Sequence, residues 1–524
     1  MKRILLACIF LSFTNIGFSQ NDPAWKYAET ITRQDLKKQL TIIASAEMEG
    51  RETGTEGQRK AAAYIESQFK EIGLISPKSL DGYQQHYPLY RDSLIPGKLK
   101  VGNDFLTYGT DYLLQPGTSK EDELNASEIV FAGYGISDNS YDDYAGKNVK
   151  GKIVLIVNGE PKANDQYLVS GTDKPSRWGF SMTMKAAKAK EMGATGIIYV
   201  NTMMGTISPR MTESSLNSNM SFPHLSDKEK LTVINLIGAR LKNIFGEANA
   251  DKILNAAKAK EPLNIMSISA KTDIMLSYKK IRIELQASNV IGFVEGSDKK
   301  DEYVFLTAHY DHLGKRGDVI YYGADDDGSG TVTVIEMAQA FAKAKKEGHG
   351  PRRTVVFMTV SGEEKGLWGS EYYSDHPIYP MDKTSVDLNT DMIGRIDPNR
   401  NYGDSTNYIY VIGNDKLSSD LDPISKAVNE KYTKLELDYK FNDPKDPERI
   451  YYRSDHYNFA RKGVPIIFYF DGIHKDYHKP SDTVDKINFD IMEKRARYIF
   501  LTAWNIANRD AMLVRDIPLP SEVR

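Results

Sequence analysis

The stretch EYVFLTAHYDHLG, Glu302–Gly314, sets an unbroken apolar run against an abrupt cluster of reactive side chains. Val304, Phe305, Leu306 and Ala308 leave no polar face, the pattern of a strand covered on both sides in a largely parallel sheet. His309, Asp311 and His312 follow at once. Ligands of open α/β sheets bind beyond the carboxyl ends of the strands, so a site is expected where this run stops.

The same grammar extends outward. SNVIGFVEG, RTVVFMTVS, YIYVIG and VPIIFYF read as further strands, and Thr331–Lys346, Asp420–Lys431 and Phe489–Ala507 as helices. The expected fold is α/β, a mixed, mostly parallel central sheet flanked by helices. Upstream, Ile31–Leu74 reads as helical around the loop EMEGRETGTEGQ, with Ala62, Ile65, Phe69 and Ile72 at helical spacing and Gly73 as the stop. Between residues 96 and 272, short strand signals such as GKIVLIVNG (Gly151–Gly159) indicate an inserted β-rich domain. The expected division is a leader at 1–19, an N-terminal part of the main domain at 22–95, the insert at 96–272 and the rest of the main domain at 273–515.

A length of 524 residues, 40% hydrophobic and 27% charged, describes a folded chain of more than one domain, and a net charge of −3 argues against a nucleic-acid partner. Lys2 and Arg3, the apolar run Ile4–Phe13 and the small residues Gly17 and Ser19 form a secretory signal, too short to serve as an anchor. Export to the periplasm or beyond is expected. No later run reaches about 18 apolar residues, so no stable membrane insertion is expected. Cys8 is the single cysteine. Its context LLAC is like a lipoprotein site, but too few apolar residues precede it. Once the leader is removed no disulfide can form, and packing and metals must hold the chain.

The strand ends collect His309, Asp311 and His312, then the loop GADDDG with Asp325, Asp326 and Asp327, then Glu363 and Glu364, then Asp391, and finally His478 in DYHKPSD. This oxygen and nitrogen donor set suits Zn²⁺ and is open to Mn²⁺ or Co²⁺. A calcium loop is a rival for the acids, since Asp325, Asp327, Ser329, Gly330 and Glu336 fit an EF-hand spacing. That loop requires an entering helix, and the preceding GDVIYYGA is strand-like, so the calcium reading fails.

Taken together, AHYDHLG, GADDDGSG, SGEEKGLWGS, NTDMIGR and DYHKPSDT resemble the co-catalytic zinc aminopeptidases, metallopeptidase family twenty-eight, which also includes carboxypeptidases of the glutamate carboxypeptidase type. FAGYGI, DDYAGKNVKGKIVL and KAKEMGATGIIYVN resemble the protease-associated domain often inserted there, which implies a lid or gate. The resemblance implies two Zn²⁺ ions per chain, with His309 and Asp391 on one, Glu364 and His478 on the other, and Asp326 between them. It further implies a metal-bridged water as nucleophile, Glu363 as general base, Asp311 behind a ligand imidazole to fix its tautomer, and Tyr477 as a donor to the oxyanion. Peptide substrates follow, with removal of N-terminal residues as the leading activity and no partner protein implied. The alternatives are a carboxypeptidase or dipeptidase, for which Arg453 and Arg395 could bind a carboxylate, a glutaminyl-cyclase-like activity, and a non-catalytic receptor-like binding protein.

Gly472 and Pro480 argue against a helix through His474 and His478, so His474 is expected at the surface or the pocket rim. His312 could ligate with His309 as an HxxH pair, although Asp311 is the preferred neighbour. Arg453, Asp455 and His456 are expected either in the substrate pocket or in a structural ion pair. Asp325 and Asp327 are expected to orient their loop and Gly328 and Gly330 to let it turn. His86, His224, His349 and His376 carry no expected role.

Overall fold

The computed structural model describes residues 22–118, 121–218, 220–223 and 229–519, so the leader at 1–19, Cys8 and His224 lie outside the described residues. The chain forms two compact units, one from the residues up to Tyr87 together with Gln286 onward, the other Pro88–Leu285. The long strands Gln84–Val101 and Ile274–Val294 carry the chain from one unit into the next, so the expected boundaries at 96 and 272 lie within and just before them.

In the first unit the helices are α1 (Arg33–Ile43) and α2 (Glu56–Ile72), followed by β1 (Ile274–Val294), β2 (Lys299–His309), α3 (Gly330–Lys346), β3 (Arg353–Val360), β4 (Thr384–Thr390), β5 (Tyr408–Ile412), β6 (Glu436–Asp438), β7 (Ile466–Phe470) and α4 (Phe489–Asn508). Within a ten-stranded sheet these strands follow the order β1–β3–β2–β4–β7–β5–β6, and Gln84–Val101 lies next to β1 on its outer side. The centre, β3–β2–β4–β7, is parallel throughout, while β1 on one side and β5 on the other pair antiparallel to it. β3 and β4 are buried along their whole lengths, as strands covered on both faces must be. The fold is thus the mixed, mostly parallel α/β sheet that the apolar runs predict. Four parallel strands end on one edge, and each is followed by a residue of the donor set.

The helices start and stop where the sequence places their signals. Thr32 caps α1 by accepting from the Asp35 amide, and Gly73 ends α2 in the left-handed conformation (φ 84°) that a side chain rarely adopts. α3 and α4 pack through Phe341 and Phe500, with ring centroids 4.7 Å apart.

The second unit is more than β-rich. Its six-stranded sheet runs Ser269–Ala270, Ile129–Phe131, Ile153–Val157, Gly196–Asn201, Val233–Ile237 and Tyr112–Gln115, parallel across its four central strands. Helices Met182–Glu191 and Glu247–Lys258 accompany it. Among the described residues no helix is long and apolar enough to cross a membrane.

Candidate metal centre and substrate pocket

The acidic loop sorts its three carboxylates by what they bond. Asp325 Oδ1 accepts the Gly394 amide at 2.7 Å. Asp327 accepts the amides of Gly330 (2.8 Å) and Met392 (3.0 Å) through Oδ1 and that of His309 (3.3 Å) through Oδ2. Ser329 adds a bond from the Ile393 amide at 3.0 Å. These side chains lace the loop to the segment after β4 and to the end of β2. Asp326 takes no part in the lacing. Its own amide and that of Asp325 donate to Asp482 Oδ2, at 3.2 and 3.0 Å, which turns its carboxylate toward the imidazoles.

The glycines of this loop do other work than turning. Gly330 has an ordinary helical φ of −68°. A Cβ there would collide with the Asp327 carboxylate and the Thr390 carbonyl, so glycine is required by close approach rather than by conformation.

Asp326 offers one oxygen to each of two donor sets. Oδ1 is 3.3 Å from His309 Nε2, which in turn is 3.5 Å from Asp391 Oδ1. Oδ2 is 3.1 Å from His478 Nε2, which lies 3.2 Å from Glu364 Oε2. Ligands about 2.1 Å from one tetrahedral ion stand roughly 3.4 Å apart, so both sets have the spacing of donors around an ion. His309 Nε2, Asp326 Oδ2 and Glu364 Oε1 are buried and make no hydrogen bond, a costly arrangement unless a cation serves them. Electrostatics point the same way. Burial opposes charge on His309 and His478, but the carboxylates Asp391 and Glu363 outweigh it at the first, and Asp326 and Glu364 at the second. Protons would therefore be held well above the usual imidazole range at His309 and up to about 10 at His478. Positions that bind a proton that tightly suit a divalent cation. The residues present fit two such ions.

The structure brings together all five expected ligands, and it adds two neighbours. His312 Nδ1 stands 2.8 Å from Glu364 Oε1 and 3.7 Å from Asp326 Oδ2, closer to the second donor set than its secondary rank implied. Asp327 lies within reach of His309 and Asp391, but its oxygens are committed to backbone amides.

Glu363 stands 3.9 Å from His309 Nε2, and burial, with Glu364 and Asp391 nearby and His309 opposing, lifts its carboxyl well above the usual range. Asp311 does its positioning by an unexpected atom. His309 Nδ1 faces the Asp311 main-chain oxygen at 3.1 Å, while the carboxylate is 3.6 Å away. That carboxylate instead accepts the Thr53 hydroxyl (2.6 Å) and the Glu363 amide (3.2 Å), and Thr53 in turn accepts the Gly362 amide at 3.0 Å. Thr53 and Arg51 carried no signal in the sequence beyond a polar loop between two helices. Arg51 is fully buried and donates to the carbonyls of Ile43, Tyr310, Tyr322 and Gly323 at 2.6–2.8 Å.

A cavity of ≈30 Å³ opens beside the donors, with Asp326, Glu363 and Asp391 on one wall and Arg453 and Tyr477 at another. The Tyr477 ring stacks on His478 at 3.8 Å, and its hydroxyl accepts from Arg453 at 3.2 Å. Asp455 and His456 do not reach this cavity: the first accepts from Ser370 and the second bonds the Tyr451 carbonyl at 2.7 Å. Arg395 is spent on Asp476 (2.9 Å) and Asp482 (3.7 Å), which leaves Arg453 as the arginine at the pocket. His474 is neither surface nor rim. It is buried, 3.2 Å from Asp325 Oδ2, because the turn after Gly472 folds it beneath the acidic loop.

The model of peptidase family M28 matches residues 289–503. This segment belongs to that family. The chain is similar to a "Probable zinc metalloprotease" of Pyrenophora tritici-repentis (strain Pt-1C-BFP), 25% identical over 295 residues, 48% of this chain and 58% of the relative. A "Probable leucine aminopeptidase" of Arthroderma otae (strain ATCC MYA-4605 / CBS 113480) is 27% identical over 235 residues, covering 44% and 60%. The chain thus spans under two thirds of the length of these curated relatives. Among solved structures, the aminopeptidase from Aneurinibacillus sp. strain AM-1 aligns with a TM-score of 0.52 at 19% identity, over 95% of this chain and 99% of that one. A zinc aminopeptidase from Bacillus subtilis gives 0.50 at 19%, over 93% and 99%. At this identity the likeness is one of fold.

Proposed function

We propose that the protein is a di-zinc exopeptidase that removes N-terminal residues from peptides, exported by its N-terminal leader to the periplasm or beyond. The observation that carries the reading is the Asp326 carboxylate, which gives one oxygen to each of two imidazole–carboxylate sets beside a carboxyl group, Glu363, that bonds to neither. Two zinc ions there supply Lewis acidity that polarises a peptide carbonyl and acidifies a water. His309 and Asp391 would hold one ion, Glu364 and His478 the other, and Asp326 would contribute an oxygen to each. Glu363, whose burial raises its proton affinity, takes the proton of the water and delivers it to the leaving amine. Tyr477 directs its hydroxyl to the oxygen that gains charge. The first test is Glu363→Gln. Turnover falls by about 10²–10⁴-fold, while elemental analysis still finds two zinc ions per chain. Activity near that of the native protein refutes Glu363 as the base.

One observation favours a second reading. Arg453 lines the pocket with Glu448 as its carboxylate partner at 3.8 Å, and such a cation suits the free carboxylate of a dipeptide. Peptides blocked at either end separate the two. Cleavage that survives N-terminal acetylation but not C-terminal amidation replaces the aminopeptidase by a carboxypeptidase, and a requirement for both free ends indicates a dipeptidase.

A further inference from the structure

Glu336, the last member of the discarded calcium spacing, sits away from the acidic loop. It lies on α3 and borders a cleft of ≈520 Å³ between α1, α2 and α3, whose lining includes none of the metal donors. The residue is 2% exposed, and both of its carboxyl oxygens are buried without a hydrogen-bond partner. Burial and Asp35, with Lys38 opposing, lift the group to about 8, so near neutrality it holds a proton that finds no acceptor. Its polar neighbours in the wall are spent on one another. The Tyr64 hydroxyl donates to Gln39 Oε1, and Gln39 Nε2 donates to Gln68 Oε1 at 3.0 Å. A buried carboxyl left in this state carries a cost that a suitable guest removes.

The lining defines the guest. It carries three lysines, Lys38, Lys343 and Lys346, and three acids, Asp35, Glu71 and Glu336, so its charges balance. A metal ion is a poor match, because among the described residues no three acids or imidazoles come within ligand spacing outside the metal centre. A guest of one sign only leaves half of the lining unserved. Ile42, Ile72 and Ala342 supply an apolar strip along the same cleft. Clefts of this kind, apolar with a few placed polar groups, are the usual form of a small-molecule site. The combination suits a molecule with an ammonium group, a carboxylate and an apolar side chain. Lys38, Glu71, Lys343 and Lys346 are exposed, and long exposed side chains change rotamer within nanoseconds, so the rim above Glu336 can part to admit it.

We propose that this cleft binds a free apolar amino acid, its ammonium group seated on the two oxygens of Glu336 and its carboxylate held by the rim lysines, Lys343 and Lys346 foremost. The site is distinct from the metal centre, and its occupancy does not depend on the peptidase reading.

Calorimetry on the zinc-loaded full chain with L-leucine tests it. Leucine binds, whereas 3-methylbutylamine and 4-methylpentanoate, each lacking one of its two charges, bind about 10-fold more weakly or worse. Glu336→Gln weakens leucine by a similar factor. The pair Lys343→Ala and Lys346→Ala, at exposed positions, brings leucine down toward the affinity of 3-methylbutylamine and serves if the first variant folds poorly. Asp326→Asn separates the two sites, since leucine binding persists there when the cleft is the site. Absence of binding to the native chain overturns the proposal. Binding that is lost in Asp326→Asn and kept in Glu336→Gln places the ligand at the metal centre and overturns it as well. An affinity for 3-methylbutylamine equal to that for leucine refutes the carboxylate contact and, with it, the amino-acid assignment.

Discussion

Each unit buries an aspartate in a polar cluster, and the two clusters differ in one respect. In the second unit Asp143 is fully enclosed, and its carboxylate accepts the amides of Tyr134 (2.9 Å) and Ile136 (3.1 Å) and the hydroxyl of Tyr141 (2.8 Å). Nearby, Lys185 donates to the Gly159 carbonyl at 3.0 Å, and burial brings its ammonium down to about 8 despite the attraction of Asp143 and Glu160. In the first unit Asp326 is also buried, yet its Oδ2 receives no amide or hydroxyl and faces an imidazole nitrogen. Burial alone therefore does not mark a functional acid. A carboxylate supplied with amides and hydroxyls is part of the frame, whereas one set among other unserved acceptors is part of a cation site.

The sharpest way to break this contrast is Asp326→Asn, which removes the shared charge. Activity falls by about 10³-fold or more, and zinc content drops from two ions per chain to one or fewer by elemental analysis. A variant that retains two ions and full turnover removes Asp326 from its assigned place. Chelation of the native protein acts on the same cluster. The unfolding transition of the first unit loses about 4 kcal/mol, the contribution of a ligand held at roughly a thousand times its Kd, and that of the second unit is unchanged.

Asp143→Ala tests the other side. It strands the three donors, costs about 3 kcal/mol in the second unit, and leaves zinc content intact. Asp143→Asn adds a pH signature. Burial, partly opposed by the Ile136 amide and Tyr141, lifts Asp143 from 3.8 to about 6 in the fold. The folded state thus binds its proton more tightly than the unfolded chain. The native protein's advantage over the Asn variant is full below pH 3.8 and declines as the pH rises through 6. Urea midpoints at pH 4 and 7 measure it, and an advantage that grows with pH contradicts the assignment.

The smallest effect is expected at Thr53→Val. Losing the hydroxyl that links Asp311 to the Gly362 amide lowers kcat roughly 10-fold and stability by about 1–2 kcal/mol, with two zinc ions retained. Loss of metal in that variant makes Thr53 part of the binding apparatus rather than of the base's support.

These contrasts follow the limits of what sequence can carry. The sheet is legible because strands such as Arg353–Val360 are apolar at nearly every position, and periodicity survives without knowledge of neighbours. The residues that converge at the strand ends are legible for the same reason, since strand ends can be counted. What the pattern does not carry is which atom faces which. Asp325, Asp326 and Asp327 are identical in composition and diverge through partners distant in the chain, among them the amides of His309, Gly330, Met392 and Gly394 and the carboxylate of Asp482. His474 reads as a rim residue because a broken helix suggests exposure, yet the turn tucks it under Asp325. Arg51 and Thr53 act on segments distant in the chain, and no local signal announces such a contact.

The Arg51 anchor has a consequence for timing. Of its four carbonyl partners only Ile43 precedes it, so the anchor is incomplete until Tyr310, Tyr322 and Gly323 exist, and the whole second unit is synthesised in between. Domains generally fold as the N-terminal parts emerge first, so the second unit can close while α1 and α2 still wait for their sheet. The donor set completes later still, with His478. A growing chain therefore carries no complete donor set through most of its synthesis, and the last of its members arrives when the chain is nearly finished.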